Sequence, residues 1–264
     1  MCRHWIASAL AAAILLLPTK ITFASEKGLP QPDHVVVVIF ENHSFDQIIG
    51  STDAQFINKL ARGGALFINA HAIAHPSQPN YFALFSGSTQ GIHDNDSHSF
   101  DTPTLASALA KTKKSFIGYI ETGSPRKHNP WESFTNARMA ERNLSAFPSD
   151  FAQLPTVSFV IPDLDHDMHD GSVRAGDAWL KLHLGAYSEW AKAHNSLLII
   201  TFDEDDKKAG NHIATIFYGA HVRPGKYAEP ITHYSVLSTL LAMYGLPSFG
   251  EAQAIPPIRT IWDE

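Results

Sequence analysis

The sequence predicts an α/β protein, a three-layer sandwich in which helices flank a mainly parallel central sheet. Three observations lead there. The run from His34 to Phe40, with four consecutive valines, is the continuous β-branched stretch of a strand buried on both faces. Similar apolar runs recur at 156–161 and 196–202. Stretches of helical periodicity lie between them, and alternation of strands with helices is the pattern of a layered parallel sheet.

In chain order, 34–40 reads as the first strand. Ala54, Phe56, Ile57, Leu60 and Ala61 fall at helical spacing within 53–63, and Gly63-Gly64 ends that helix. A strand follows over 65–70, then a loop and a helix from about 80 to 86. The stretch 104–111 reads as a helix with Asp101 or Thr102 near its cap, and 114–120 as a strand. Residues 121–150 are polar and aromatic with scattered Pro, which predicts an irregular excursion. Strands over 156–161, 196–202 and 212–218 and helices over 176–194 and 234–244 complete the pattern.

With 264 residues, 44% of them hydrophobic and 17% charged, the chain can bury one large core. Residues 1–24 read as a signal peptide: Arg3 and His4, an apolar block from Trp5 to Leu17, and a small residue, Ala24, at the expected cut. The block is too short to span a bilayer comfortably, so the expectation is an exported, periplasmic or secreted protein without stable membrane insertion. Residues 25–264 then form a single domain. Cys2, the only cysteine, leaves with the peptide, which excludes thiol chemistry and disulfides from the remainder. Loss of Arg3 and Lys20 moves the formal charge from -6 to -8, with 18 basic residues against 26 acidic ones. An acidic chain without a basic run is a poor partner for nucleic acid.

In parallel sheets the site lies off the carboxyl ends of the strands. Glu41-Asn42 follows the first strand and offers either hard oxygen ligands to a cation or a helix cap and turn. Asp203-Glu204-Asp205-Asp206 follows 196–202, and so many like charges need a cation or solvent to relieve them. Asp203 and Glu204, nearest the strand, read as ligands; Asp205 and Asp206, followed by two lysines, read as a solvated turn. Asp163, Asp165, His166, Asp167, His169 and Asp170 follow 156–161, and His212 opens a strand of its own. Ser77 stands between Pro76 and Gln78-Pro79 in a stiff loop before a helix, whose N-terminus favours an anion such as phosphate. No G-x-S-x-G elbow surrounds it, which disfavours a Ser-His-Asp hydrolase, and the acidic clusters suggest a metal-activated serine.

Glu41-Asn42-His43-Ser44-Phe45-Asp46 resembles the opening motif of the bacterial phosphoesterase family of acid phosphatases and non-haemolytic phospholipases C. The likeness continues through His75–Tyr81, Ser86-Gly87, Lys127-His128-Asn129-Pro130, Asp167–Gly171, Gly176–Leu180 and Asp203-Glu204 with Asn211-His212, nearly the whole chain in order. That family is similar to the alkaline phosphatase superfamily, which implies an alkaline-phosphatase-like fold. The resemblance implies that Ser77 is the phosphorylated nucleophile and that Glu41, Asn42, Asp203 and Glu204 hold a divalent metal. Two-zinc relatives carry an Asp on the first strand and an Asp-His pair later. The all-oxygen set here therefore suits Ca²⁺, Mg²⁺ or Mn²⁺ better than Fe or Zn.

Asp165, Asp167, His169 and His212 then offer a second metal site or acid–base groups, with His169 or His212 protonating the leaving oxygen. His75, Asn80, His128 and Asn129 are candidates for contact with the substrate, His128 equally for a structural role. Imidazolium donors work best below about 6.5, in keeping with an acid phosphatase. The implied activity is phosphomonoester hydrolysis through a phosphoserine, on a small phosphorylated sugar, nucleotide or phosphoinositide. The alternatives are a phosphodiesterase or phospholipase C-type hydrolase, and a non-catalytic protein that binds phosphorylated ligands.

Overall fold

A computed structural model describes Met1 and residues 28–263; the signal-peptide expectation for 1–24 lies outside the described residues. The elements are β1 His34–Phe40, α1 Phe45–Ile48, α2 Gln55–Gly63, β2 Ala65–His71, α3 Ser77–Ser86, α4 Leu105–Lys111, β3 Phe116–Ile120 and β4 Glu141–Asn143. They continue with β5 Val157–Ile161, α5 Val173–Ala193, β6 Ser196–Phe202, β7 His212–Gly219, β8 Gly225–Tyr227, β9 Ile231–Thr232 and α6 His233–Met243.

The strands form one sheet in the order β4-β3-β5-β1-β6-β7-β2-β8, with β9 also paired to β2. Pairing is parallel except at β6–β7 and β7–β2, so β7 alone runs against the rest of the described sheet. The expected mainly parallel α/β sheet is therefore what forms. β1 occupies the centre, with β5 on one side and β6 on the other. Val35 to Phe40 are buried without a break, as are all seven residues of β6. Burying a side chain of Val or Leu size contributes roughly 1.5–3 kcal/mol, which is why the β-branched run belongs at the centre.

Helix α2 packs on α5, β7 and β2, and α5 also on β6 and β7, while α3 packs with α6 and α4. Phe40 meets Trp179 of α5 edge-on, and Phe85 of α3 meets Phe159 of β5 in the same manner.

The differences from the sequence reading have local causes. Helix α3 begins at Ser77 rather than 80, because Pro79 sits in its first turn, where the absent N–H costs nothing. Helix α4 is capped by Thr104, whose Oγ1 accepts from Ser107 N at 3.1 Å, and not by Asp101 or Thr102. The 121–150 excursion folds as short 3₁₀ turns and the edge strand β4. Trp131 anchors it: the ring is fully buried against Gly118, where a Cβ would have no room, and its Nε1 donates to Glu141 Oε2 at 2.7 Å. Among the described residues no helix is long and apolar enough to cross a membrane.

Candidate active site

The carboxyl ends of β1, β5 and β6 are tied together before any side chain is considered. Asp203 N donates to Phe40 O at 2.9 Å, and Glu41 N to Asp167 O at 2.8 Å. The β1–β6 register pairs Phe40 with Phe202, so Glu41 and Asp203 emerge side by side. Asn42 adopts φ +51, a conformation that Asn tolerates better than most residues, and its N–H donates to Asp203 Oδ1 at 3.1 Å. Its side-chain amide donates to Glu41 Oε2 at 3.2 Å.

Ser77 opens α3 and aims at this cluster. Its Oγ donates to Glu41 Oε2 at 3.0 Å, with Glu204 Oε1 at 3.4 Å. Tyr81 lies one helical turn later, and its hydroxyl donates to Glu41 Oε1, so one face of α3 delivers two hydroxyls to one carboxylate. Asn80 is fully buried beneath the loop. Its Oδ1 accepts from Ile73 N and Ala74 N, and its Nδ2 donates to Ala74 O and Pro76 O. Its polar atoms are thus consumed by the loop that presents Ser77, and the expected substrate contact is corrected to a positioning role.

For His128, of the two roles open in the sequence, the packing matches the structural one. It is fully buried, with Nε2 3.1 Å from Glu41 Oε1 and Nδ1 3.2 Å from Asp167 Oδ2, and its ring stacks on Tyr81. Burial disfavours its imidazolium, but the carboxylates of Glu41 and Asp167 overcome this and raise its pKa to about 9. Burial pushes the Glu41 carboxyl up, yet His128, Tyr81 and Lys127 outweigh it and hold Glu41 below the ordinary value. Burial raises Asp167 to about 6. Asn129 is also buried, engaged with Ser124 and Glu132 rather than with the open cleft.

On the β6 side, burial and then the charges of Glu41 and Glu204 push the Asp203 carboxyl well above the ordinary range. Burial likewise raises Glu204, which His75 partly offsets. His75 is half-buried, with Nδ1 2.6 Å from Glu204 Oε2 and Nε2 3.2 Å from Asp205 Oδ1. Asp205 is not the solvated acid expected from its neighbouring lysines. It is buried, and its carboxylate accepts from the N–H groups of Lys207, Ala209 and Asn211, building the turn.

Asp203 Oδ2 is buried and accepts no hydrogen bond among the described residues. A buried, unpartnered carboxylate oxygen among two further carboxylates and the Asn42 amide has the composition of a hard-cation site. Glu41, Asn42, Asp203 and Glu204 therefore fit a divalent ion. Glu41, His128 and Asp167 also bring ligand atoms within 4.8 Å of one another, as do Glu121, Asp163 and His166 nearer the edge of the sheet.

The cluster opens into a cleft of about 360 Å³ lined by Asn42, Ser77, Asn95, Lys127, His169 and Glu204, with Pro76 and Asp205–Lys207 at its border. His169 reaches it, its Nδ1 2.7 Å from Asp170 Oδ1 and its Nε2 3.5 Å from Lys127 Nζ. His212 does not. Its ring lies flat on Phe45, with centroids 4.6 Å apart, and beside His71, and its Nε2 is 3.1 Å from Ile68 O. Asp165 is exposed, so a second metal shared by Asp165, His169 and His212 is not assembled. The physical reason is that β7 sits one strand beyond β6, which carries His212 away from β5. A larger groove of about 610 Å³ between α2 and α5 contains Lys59, Arg174 and Lys181 but no such cluster.

Of the residues that the sequence reading passed over, Tyr81 had a signal, its four-residue spacing from Ser77 on a helix. Lys127 stood in the motif that carries the family resemblance, whereas Asn95 had no signal beyond being polar.

Comparison with known proteins identifies the family and the fold. A family model described as the phosphoesterase family matches residues 51–247. The chain is 48% identical over 275 residues to a phosphatidylinositol-3-phosphatase of Mycobacterium tuberculosis, covering 98% of this chain and 91% of that protein. It is 29% identical to a phosphate-repressible acid phosphatase of Penicillium chrysogenum, over 83% of this chain but only 60% of the fungal one. Among solved structures, an alkaline phosphatase superfamily protein of Vibrio parahaemolyticus aligns with a TM-score of 0.60 at 14% identity. That alignment covers 91% of this chain and 76% of the other. A putative sulfatase of Bacteroides thetaiotaomicron aligns at 0.63 and 12% identity, over 88% and 76%. The fold is thus alkaline-phosphatase-like, and on sequence the chain belongs to the phosphoesterase family, a family of phosphoric ester hydrolases.

Proposed function

We propose that the chain is an exported, divalent-cation-dependent phosphomonoesterase of the acid phosphatase type that acts through a phosphoserine at Ser77. The observation that carries this reading is the Ser77 hydroxyl, 3.0 Å from Glu41 Oε2 at the mouth of a cleft, beside the unpartnered Asp203 Oδ2.

Glu41, Asn42, Asp203 and Glu204 would hold a divalent cation, which would supply positive charge to offset the negative charge that develops during phosphoryl transfer. The rest falls to the chain. Tyr81 and His128 fix Glu41 by hydrogen bond and ion pair, and Asn80 fixes the loop, so that Ser77 Oγ is oriented before substrate arrives. Ser77 Oγ attacks phosphorus and its proton has a carboxylate acceptor within reach; the P–O bond to the alcohol breaks as the new Oγ–P bond forms. His169, which lines the same cleft, donates a proton to the departing alcohol oxygen and then takes one from the water that hydrolyses the phosphoserine. Lys127, beside His169, faces the substrate's negative charge.

The Mycobacterium tuberculosis relative is named for a phosphatidylinositol 3-phosphate activity, and its 48% identity supports a phosphoinositide monoester among this chain's substrates. Export is supported by the Arg3–Ala24 pattern, and an N-terminus at Ser25 in the secreted protein is the expected cleavage product. The test of the activity is a comparison of p-nitrophenyl phosphate, phosphatidylinositol 3-phosphate and bis-p-nitrophenyl phosphate with wild type and Ser77→Ala. The reading expects both monoesters to be hydrolysed in preference to the diester, and activity to vanish in Ser77→Ala. Equal turnover by the variant contradicts it.

A further inference from the structure

Between Asp167, which steadies Glu41, and His169, which reaches the cleft, the chain passes through Met168 at φ +80. That left-handed conformation strains a residue with a Cβ, and a glycine there would be free of the strain. What the methionine offers instead is its side chain, which is 1% exposed and packed into the core.

The side chain fills a notch in the first turns of α5. A Cβ on Gly176 would stand 2.5 Å from Met168 Cε, 2.6 Å from Met168 Cγ and 2.7 Å from His166 O, so helix and loop come this close only without a side chain at 176. The helix start is fixed beside it by Ser172, whose Oγ accepts from Ala175 N at 3.2 Å. The loop is also closed on itself: Asp167 N donates to Asp163 O at 2.7 Å, and Asp170 N to Leu164 O at 2.9 Å. Met168 thus anchors this turn to a helix that is itself packed on β6 and β7.

Both chain neighbours of Met168 have defined places. Asp167 accepts from Glu41 N and from His169 N, each at 2.8 Å, and its Oδ2 lies 3.2 Å from His128 Nδ1. His169 leaves the turn toward the cleft, its Nδ1 2.7 Å from Asp170 Oδ1. The left-handed residue between them lets the chain bury Asp167 and still present His169 on the open side.

We propose that Met168, seated against Gly176, is a positioning residue for His169: the contact holds the turn in its strained form and so keeps the imidazole at the cleft. The inference rests on the reading of His169 as proton donor given above. Neither Met168 nor Gly176 lines the cleft, so any effect on turnover passes through the loop.

Two substitutions attack the contact from opposite sides. Met168→Gly relieves the backbone but empties the notch; Gly176→Ala favours the helix but pushes the methionine out. Each is made alone and together with His169→Ala, and kcat/KM is measured for p-nitrophenyl phosphate and for phenyl phosphate, whose more basic leaving oxygen depends more on a proton donor. Positioning of His169 predicts that each variant loses about tenfold or more on phenyl phosphate, at least about threefold less on p-nitrophenyl phosphate, and under about twofold once His169 is already alanine. Equal losses on the two substrates, or an undiminished loss in the His169→Ala background, mark a merely structural contact and overturn the proposal. The unfolding temperature reports whether each variant is folded, and Gly176→Ala carries the same comparison if Met168→Gly is not. Should His169→Ala alone lose no more on phenyl phosphate than on p-nitrophenyl phosphate, the proton-donor reading fails and takes the proposal with it. A substrate-dependent loss in His169→Ala beside uniform losses in the other two variants overturns the proposal and leaves that reading intact.

Discussion

Nε2 of His128 lies 3.1 Å from Oε1 of Glu41, and both side chains are wholly buried. The contact joins the irregular excursion after β3 to the carboxylate that receives the Ser77 hydroxyl. Removing one partner of a buried charge pair leaves the other uncompensated, at a cost of about 3–5 kcal/mol. His128→Ala is therefore expected to lower unfolding stability by that order in denaturant titration, far more than an exposed histidine would. A loss under about 1 kcal/mol contradicts the placement of His128 as counter-ion to Glu41.

His212 supplies the opposite expectation. Its ring is stacked on Phe45 outside the cleft, so His212→Ala should leave kcat/KM for p-nitrophenyl phosphate within about threefold of wild type, whereas His169→Ala should lower it by about a hundredfold or more. If the two variants are equally impaired, the assignment of the proton donor to His169 is wrong.

The buried His233 makes stability sensitive to acid. Burial lowers its pKa from 6.5 to about 4, only partly offset by its hydrogen bond to Asp203 O at 2.7 Å. The folded-state value is depressed, so the unfolded chain takes up a proton below about 6.5 while the folded chain does not until near 4. Stability from this group is full above that window and declines as pH falls through it, by about 1.4 kcal/mol per pH unit at most. Unfolding measured at intervals from pH 7 to 4 should show a shallower acid decline in His233→Asn than in wild type. Parallel curves would show that His233 does not titrate in this way.

The carboxylates predict a cation effect on stability apart from turnover. Asp203 is raised in the fold, so its ionised form costs stability at neutral pH unless a cation offsets it. Adding Mn²⁺, Mg²⁺ or Ca²⁺ to EDTA-treated protein should raise its unfolding temperature and restore hydrolysis. Asp203→Asn should stabilise the metal-free protein and abolish the cation response. A wild type indifferent to all three ions, in both stability and activity, removes the cation from the account.

The sequence exposed the parts of this site that lie next to their own strands. Glu41, Asn42, Asp203 and Glu204 stood out because each follows an uninterrupted apolar run, and the sheet register alone brings them together. Ser77 was legible as a residue at the head of a helix, although two prolines obscured where that helix begins. What could not be read was how buried polar atoms are shared across long separations. In the linear motif Asn80 looks like a substrate contact, and His128 is equally a substrate contact or a structural residue. Only packing shows that Asn80 is saturated by its own loop and that His128 is enclosed between Glu41 and Asp167. His212 lies outside the cleft for a topological reason, since nothing in a single strand announces that it stands beyond β6 in the sheet order.

The most direct test of the central claim is to quench the reaction with acid during turnover of a slow phosphomonoester and to map any covalent phosphate by peptide mass spectrometry. A single phosphoryl group on the peptide containing Ser77, absent from Ser77→Ala, is the predicted result. Turnover with no phosphoserine, or with the phosphoryl group on His169 or another side chain, would contradict it.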